Sequence, residues 1–370
     1  MKLQVERDQL AEAVAWTARA LPARPTAPVL AGMRLQAGET LTLSTFDYEV
    51  SAVASVPVIT DEEDTIVVSG KLLAEIVKSL PAKPATLTTD GTRATLKCGG
   101  ATFTLMLLPA EEYPSLPDLP PLAGSVGSDA LSSAISQVAI AAGRDDTLPA
   151  LTGIRVEIAG DTLTLVATDR YRLAVRELRW TPSRTDLNTA VLVPARVMGD
   201  TARALTSGAE VQMSLGGEDA NSLIGFSGAG KQTTTRLISG EYPRYQALLP
   251  SEFNAVAELP AGPFAEAVKR VALVAERNTA VRLSFAAGQL LLEAGASDDA
   301  QADELLEADY TGDDLQIAFN PHYLLDGIGA IDSDVVRISF TSPTKPAVIT
   351  SKADGVPDYR YVLMPIRSAG

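Results

Sequence analysis

Cysteine and histidine are almost missing: Cys98 and His322 are each the only residue of their kind in 370. One thiol cannot form an internal disulfide framework, and one cysteine with one histidine cannot build a zinc cage. Long apolar runs are missing as well. No stretch approaches the roughly 18 uninterrupted apolar residues of a membrane span, and the opening MKLQVERDQL carries charge where a secretion signal needs an apolar core. These absences predict a cytoplasmic protein with no membrane partner, no metal and no cofactor. Aromatics are scarce at 5%, so Val, Leu, Ile and Thr fill the apolar segments, which favours sheet.

Positive charge is absent from one long stretch. The 54 residues from Leu283 to Val336 hold no Lys or Arg but twelve acids. The formal net charge of −15 taken alone argues against a nucleic-acid partner. The other 316 residues, however, hold 34 acids against all 31 bases, so most of the negative charge lies near the carboxyl end. With 46% hydrophobic and 21% charged residues the chain is expected to fold, and its length exceeds one ordinary core, so two or three domains are expected.

What is present is a repeat: one order of elements recurs three times, each about a third of the chain. Each copy opens with a short strand and an amphipathic helix: LQVERDQLAEAVAWTARAL from Leu3, SVGSDALSSAISQVAIAAG from Ser125 and NAVAELPAGPFAEAVKRVALVA from Asn254. Leu10, Val14, Thr17 and Leu21, then Leu131, Ile135 and Val138, then Phe264, Val268 and Val271 keep helical spacing. Antiparallel pairs follow, in which AGETLTL and AGDTLTL nearly coincide around a glycine turn, with TAVRLSFAAGQLLLEA as the looser third version. A second helix comes next: SGKLLAEIVKSLP, PARVMGDTARALT and NPHYLLDGIGAID, with Ser69 and Asn320 placed as N-caps. EEYPSLPDLP and GEYPRYQALLP are a second internal match. The expected fold class is α+β, three repeated domains over 1–122, 123–252 and 253–370, each with two helices packed on antiparallel sheet and joined by PDLPPLAG and LLPSEF.

Catalytic motifs are weak. Gly225-Phe-Ser-Gly-Ala-Gly230-Lys231 matches the first seven positions of a phosphate-binding loop, but Gln232 stands where Ser or Thr must ligate magnesium. The strand-like Thr233, Thr234 and Thr235 follow where a helix is needed. His322 has no metal-binding companion, Cys98 shows no cue for a lowered pKa, and Asp298 to Asp303 lacks calcium-loop spacing. Basic residues carry a clearer signal. Arg196 and Arg203 share one helix face, seven residues apart, and Lys71 and Lys78 repeat that spacing in the first copy. Arg24, Arg144, Lys269, Arg270 and Arg277 lie near the ends of the first helices. Cations on the same element of every repeat suit duplex phosphates without regard to base sequence. A nucleotide-hydrolysing enzyme built on the Gly225 loop and a monomeric repeat scaffold are the rival readings.

MKLQVERDQL, ARPTAPVLAGMRL from Ala23, ATDRYRLAV from Ala167, GEYPRYQALLP from Gly240 and YVLMPIR ending at Arg367, in that order, resemble the bacterial DNA polymerase III beta subunit family, the sliding clamps, over essentially the whole chain. The resemblance implies a non-enzymatic processivity factor. Two subunits would join head to tail as a homodimer, a ring whose helices line the hole around DNA. It implies a joining edge between the first domain of one subunit and the third of the other, with Arg93 and Lys97 facing Asp298, Asp299, Asp303 and Glu304 around Phe103, Leu105, Leu273 and Val274. It also implies a peptide-binding pocket for the polymerase III catalytic subunit, the clamp loader, other DNA polymerases and repair proteins. Carried over by position, that pocket comprises Leu151, Thr168, Arg170, Tyr171, Arg172, Leu173, Pro243, Leu248, Val362, Met364, Ile366 and Arg367. Aliphatic and Met walls would take Leu or Phe anchors, with Arg at the rim. The chain departs from the family pattern at Arg170, where many relatives have glycine, at Ala247, where some have arginine, and in the extra Ser368-Ala369-Gly370.

Overall fold

Among the described residues six α-helices form where the repeats predict them, two per copy: α1 (Arg7–Thr17), α2 (Gly70–Ser79), α3 (Ser128–Ala139), α4 (Ala195–Ala204), α5 (Ala261–Val271) and α6 (Pro321–Gly329). The structure, a computed structural model, describes the chain apart from residues 206–207, 218–221, 251, 276–278, 298–299, 353–354, 356 and 367–370. Each helix turns one stripe inward. In α1 the buried residues are Leu10, Ala13, Val14, Trp16 and Thr17, and Trp16 Nε1 donates to the Val53 carbonyl at 3.0 Å. Asn320 caps α6 as expected, its side chain accepting from the backbone N–H of His322 and Tyr323. Ser69 stands at the corresponding place before α2 but makes no side-chain capping bond.

All strand pairings among the described residues are antiparallel, and compact packing cuts across the repeats. The first unit comprises Met1–Ser132, Trp180–Asp186 and Val197–Leu237 and holds one sheet of 14 strands. That sheet is continuous because Val50–Pro57 of the first copy pairs with Lys231–Arg236 of the second, where the buried hydroxyls of Ser51 and Thr234 lie 2.5 Å apart. Met33, Leu35, Leu41 and Leu43 form the centre of its core with Leu73 and Val77 of α2. The second unit comprises Ser133–Arg179, Leu187–Arg196 and Ile238–Gly370. It holds a sheet of nine strands, in which Arg172–Arg179 pairs with Tyr359–Leu363, and a sheet of four.

The near-identical fragments AGETLTL and AGDTLTL turn differently. In the first copy Ala37 pairs with Leu41 across Gly38, Glu39 and Thr40; in the second Ala159 pairs with Thr162 across Gly160 and Asp161. The second copy has one extra residue, Ile158, before its turn. Shortening the turn absorbs it, so the apolar pairs Leu35–Leu43 and Val156–Leu165 are both kept. Core pairing sets the register and the turn yields, as expected where a one-residue slip would flip every side chain.

The phosphate-loop reading does not survive. Leu223–Gly228 and Lys231–Arg236 are paired strands, and Ala229 and Gly230, both at positive φ (50° and 74°), make the two-residue hairpin turn between them. No helix N-terminus follows to face a phosphate, and the Lys231 ammonium donates to Glu12 and the Ala204 carbonyl. No described helix is long and apolar enough to cross a membrane. Cys98 is buried in the first unit's core and His322 is exposed.

Candidate functional site

The basic residues stand where the helical periodicity leaves them once the apolar stripe is buried. On α2 the inward residues are Leu73, Ile76 and Val77, and Lys71 and Lys78 are exposed. On α4, Val197, Met198, Thr201 and Ala202 are inward, and Arg196 and Arg203 exposed. Arg24, Arg144, Lys269 and Arg270 are exposed too, while Arg277 lies outside the described residues. Several of these cations carry carboxylates, two of them at the i,i+3 spacing of helix-surface neighbours. Arg203 pairs with Asp200 at 2.6 Å, Lys269 with Glu266 at 2.7 Å, and Arg270 Nε donates to Glu304 at 3.0 Å. These pairs are solvated and exchange readily for another anion. Lys71 and Lys78 make no ion pair among the described residues. α6 carries no Lys or Arg.

Among the described residues each unit has an unpaired strand edge. In the first, Ala101–Leu108 pairs with Arg93–Cys98 along Ala101 to Met106, but on its other side only Leu107 and Leu108 find a partner. Arg93 and Lys97 are exposed on the neighbouring strand. Leu105, expected at the joining edge, is instead 2% exposed inside the core, with Phe103 packed against the same cluster. Met106 is the strand's outward apolar residue, 63% exposed. In the second unit, Ala300–Glu307 pairs with Gln289–Ser297 alone and forms the border of its sheet. Leu305 on that strand and Leu273 just beyond α5 are 61% and 84% exposed, with Val274 half-buried beside Leu273. Asp303 is exposed, Glu304 is held by Arg270 of the same chain, and Asp298 and Asp299 lie outside the described residues. Unpaired backbone beside exposed leucine is a template for another chain.

The residues assigned to the peptide pocket converge within the second unit. Thr162–Thr168 turns into Arg172–Arg179 through a tight loop with Arg170 at φ +79°. Asp169 Oδ1 accepts from the backbone N–H of Tyr171 and of Arg172, both at 3.1 Å, and Thr168 Oγ1 donates to the Arg172 carbonyl at 2.7 Å. This side-chain clamp holds a non-glycine residue in left-handed backbone and sends Arg170 and Tyr171 into solvent. The Met364 N–H donates to the Tyr171 carbonyl at 2.9 Å, which lays Met364 to Ile366 beside the loop. Behind them Val166, Leu173, Val175, Tyr245, Val348 and Val362 form an apolar cluster, with Tyr242, Leu248 and Leu249 packed on it.

Exposure sorts the twelve assignments. Arg170, Tyr171, Pro243 and Ile366 are exposed; Leu248 and Met364 are half-buried; Leu151, Thr168, Arg172, Leu173 and Val362 are buried; Arg367 lies outside the described residues. Leu173 and Val362 are therefore floor under the site rather than its surface.

Arg172 was expected at the rim and is a structural hub. Its guanidinium donates to Asp169 Oδ2 at 3.0 Å and to Asp326 of α6, reaches the Tyr361 hydroxyl, and stands over the Tyr323 ring at 4.3 Å. Burial pushes the Tyr361 hydroxyl well above the usual tyrosine range, more than Arg172 lowers it, so it stays a neutral donor to the Tyr323 carbonyl at 2.8 Å. A Cβ on Gly327 would come within 2.6 Å of the Tyr361 ring, so glycine lets α6 approach. Tyr323, stacked 6.2 Å from Tyr171, is a site residue that sequence reasoning missed. Tyr242 and Tyr245 were missed also: the Tyr245 hydroxyl donates to Glu157 at 2.9 Å, and Glu157 accepts from Arg155 at 2.7 Å, which pins the connecting segment to the sheet.

Comparison with known proteins gives one answer along the chain. Models of the DNA polymerase III beta subunit match in order: its N-terminal domain at residues 1–117, its central domain at 125–244 and its C-terminal domain at 246–367. The chain is 58% identical over 376 residues to the beta sliding clamp of Streptomyces coelicolor, covering all of both. It is 44% identical over 305 residues to that of Micrococcus luteus, covering 82% of this chain and 98% of the relative. The structure is similar to a crystal structure of a sliding clamp from Pseudomonas aeruginosa bound to griselimycin, with a TM-score of 0.92, 30% identity and 99% of each chain covered.

Proposed function

The chain belongs to the DNA polymerase III beta subunit family, the bacterial sliding clamps, and on that footing we propose that two copies close head to tail around duplex DNA in the cytoplasm and act as a processivity factor without catalysis of their own. The observation that carries the DNA-facing part is the exposure of Lys71 with Lys78, and of Arg196 with Arg203, seven residues apart on helix faces opposite the buried stripes. Contacts of this kind attract phosphate without reading bases, so the ring is retained by topology and slides. Lys71→Glu with Lys78→Glu tests it. The double variant is expected to fold normally and to lose retention on a nicked circular duplex at about 0.1 M salt. Its association should become less salt-dependent by roughly two phosphate contacts per copy. Retention equal to the parent's would remove these lysines from the DNA surface.

The loop at Arg170 and Tyr171, with Met364, Ile366, Leu248 and Pro243, is proposed as the place where the polymerase III catalytic subunit, the clamp loader, other polymerases and repair proteins insert a short apolar peptide. Met364→Glu is expected to cut the affinity of a Leu-Phe-bearing peptide about a hundredfold, since the anchor then meets a charge it must desolvate. A calorimetric titration reads this, and an unchanged Kd would sink the assignment. A charge at Leu173 is a poor test, because that side chain is fully buried and the substitution attacks the fold itself.

A further inference from the structure

A pocket of about 560 Å³ opens in the second unit next to the peptide site and is not part of it. The two share a wall: Leu249 and Val348 line the pocket and also belong to the apolar cluster beneath the peptide site. Leu248 packs on the same cluster, and its neighbour Leu249 also lines the pocket, consecutive Cα atoms lying only about 3.8 Å apart. The volume falls in the range of ligand-binding clefts. Leu249, Val348 and Phe253, the last 40% exposed, make it apolar on one side.

The other side is polar and positively biased. Glu258 accepts from Arg337 Nε at 2.9 Å and from Nη2 at 2.7 Å, and from Lys352 at 2.6 Å, so two cations share one carboxylate. Lys352, then Arg337, hold the Glu258 carboxyl below its usual range, against the opposing effect of partial burial. Arg360 reaches Glu177, but its Nε is buried with no hydrogen-bond partner among the described residues. Among the described residues that line the pocket, Arg337 and Arg360 stand with Glu258 as the one carboxylate, in a chain whose net charge is −15, and the Arg360 Nε has no acceptor among them. A buried donor without an acceptor is a cost that a ligand oxygen would relieve.

We propose that this pocket receives one apolar side chain and one carboxylate from the segment flanking a partner's anchor peptide, so that partners hold the second unit at two adjacent points. The proposal rests on the peptide-site reading above. The apolar group lies against Phe253, Leu249 and Val348, and the carboxylate bridges Arg360 Nε and Arg337. A partner chain leaving the first site over the Leu248–Leu249 ridge needs only a few residues to arrive there.

The test uses the full chain with methyl-labelled Met and Val, and three synthetic peptides: a Leu-Phe anchor alone, and the same anchor extended by Phe-Glu-Glu at its amino or its carboxyl end. The Met364 methyl reports the peptide site and the Val256 methyl, which lines the pocket, reports the new one. One extended peptide is expected to shift both methyls and to bind about tenfold more tightly than the anchor. Phe253→Ala and Arg360→Gln should each abolish the Val256 shift and return affinity to that of the anchor while leaving the Met364 shift intact. If both extended peptides move Met364 and leave Val256 still, the pocket proposal is overturned and the peptide site stands. Val256 moving without Met364 sinks the peptide-site reading and, with it, the two-point proposal, leaving a pocket that binds by itself; no shift at either methyl sinks both.

Discussion

Arg172→Ala is expected to lower the unfolding free energy of the second unit by about 3 kcal/mol, the low end of the cost of breaking a buried ion pair from one side. The guanidinium is 8% exposed, and its removal strands acids on two elements. Asp169, 14% exposed, keeps its two backbone donors, and Asp326, 45% exposed, recovers some water, which places the cost at the low end. The Tyr323 ring also loses the cation above its face. Arg172→Lys should fall between, because an ammonium keeps the charge but cannot present a planar fork to two carboxylates and a ring together. Denaturant titration of the three proteins measures the series. A loss under about 1 kcal/mol in Arg172→Ala would show the hub to be a solvated surface cluster. Peptide affinity should fall along with stability, since the loop bearing Tyr171 and the tail bearing Met364 both rest on this hub.

Much of the fold was legible because its signals are local. Helical spacing at Phe264, Val268 and Val271 and the glycine turns of the hairpins need only neighbours within a few residues. The burial of Leu105 is legible too in the alternation of Ala101–Leu108: Phe103, Leu105 and Leu107 share one face, and Thr102, Thr104 and Met106 the other. What could not be read is what distant segments do to one another. Nothing near Val50 announces that it pairs with Thr235, because a strand edge accepts any backbone of suitable register. Asp169 and Arg172 could be seen as a pair three residues apart, but the second carboxylate on Arg172 comes from Asp326, 154 residues away. The acidic carboxyl segment is the clearest case. Its composition shows twelve acids and no base, yet α5 returns Arg270 to Glu304, so the local surface is less negative than a count of the segment implies.

Leu273→Asp is expected to convert the proposed dimer into monomers while leaving the chain folded. At 84% exposure the side chain contributes almost nothing to the core of its own unit, so a charge there is tolerated in the isolated subunit. At the joining edge the same charge would be buried against apolar surface, with Leu305 beside it and Met106 as the outward apolar residue of the opposing strand. Burying a leucine is worth roughly 1.5–3 kcal/mol. A head-to-tail dimer of two subunits contains the contact twice, so the loss doubles to roughly 3–6 kcal/mol before the aspartates are desolvated. That is on the order of a hundredfold to ten-thousandfold in Kd. Arg93→Glu with Lys97→Glu should act more weakly and chiefly at low salt, because both side chains are exposed and a screened pair contributes little at physiological ionic strength. Sedimentation velocity across a concentration series separates the two effects. The aspartate variant should sediment as monomer at concentrations where the parent is dimeric, with unchanged circular dichroism, and should lose retention on circular DNA although every helix cation is intact. A dimer of parental affinity carrying Asp at position 273 would show that the chain closes through some other surface.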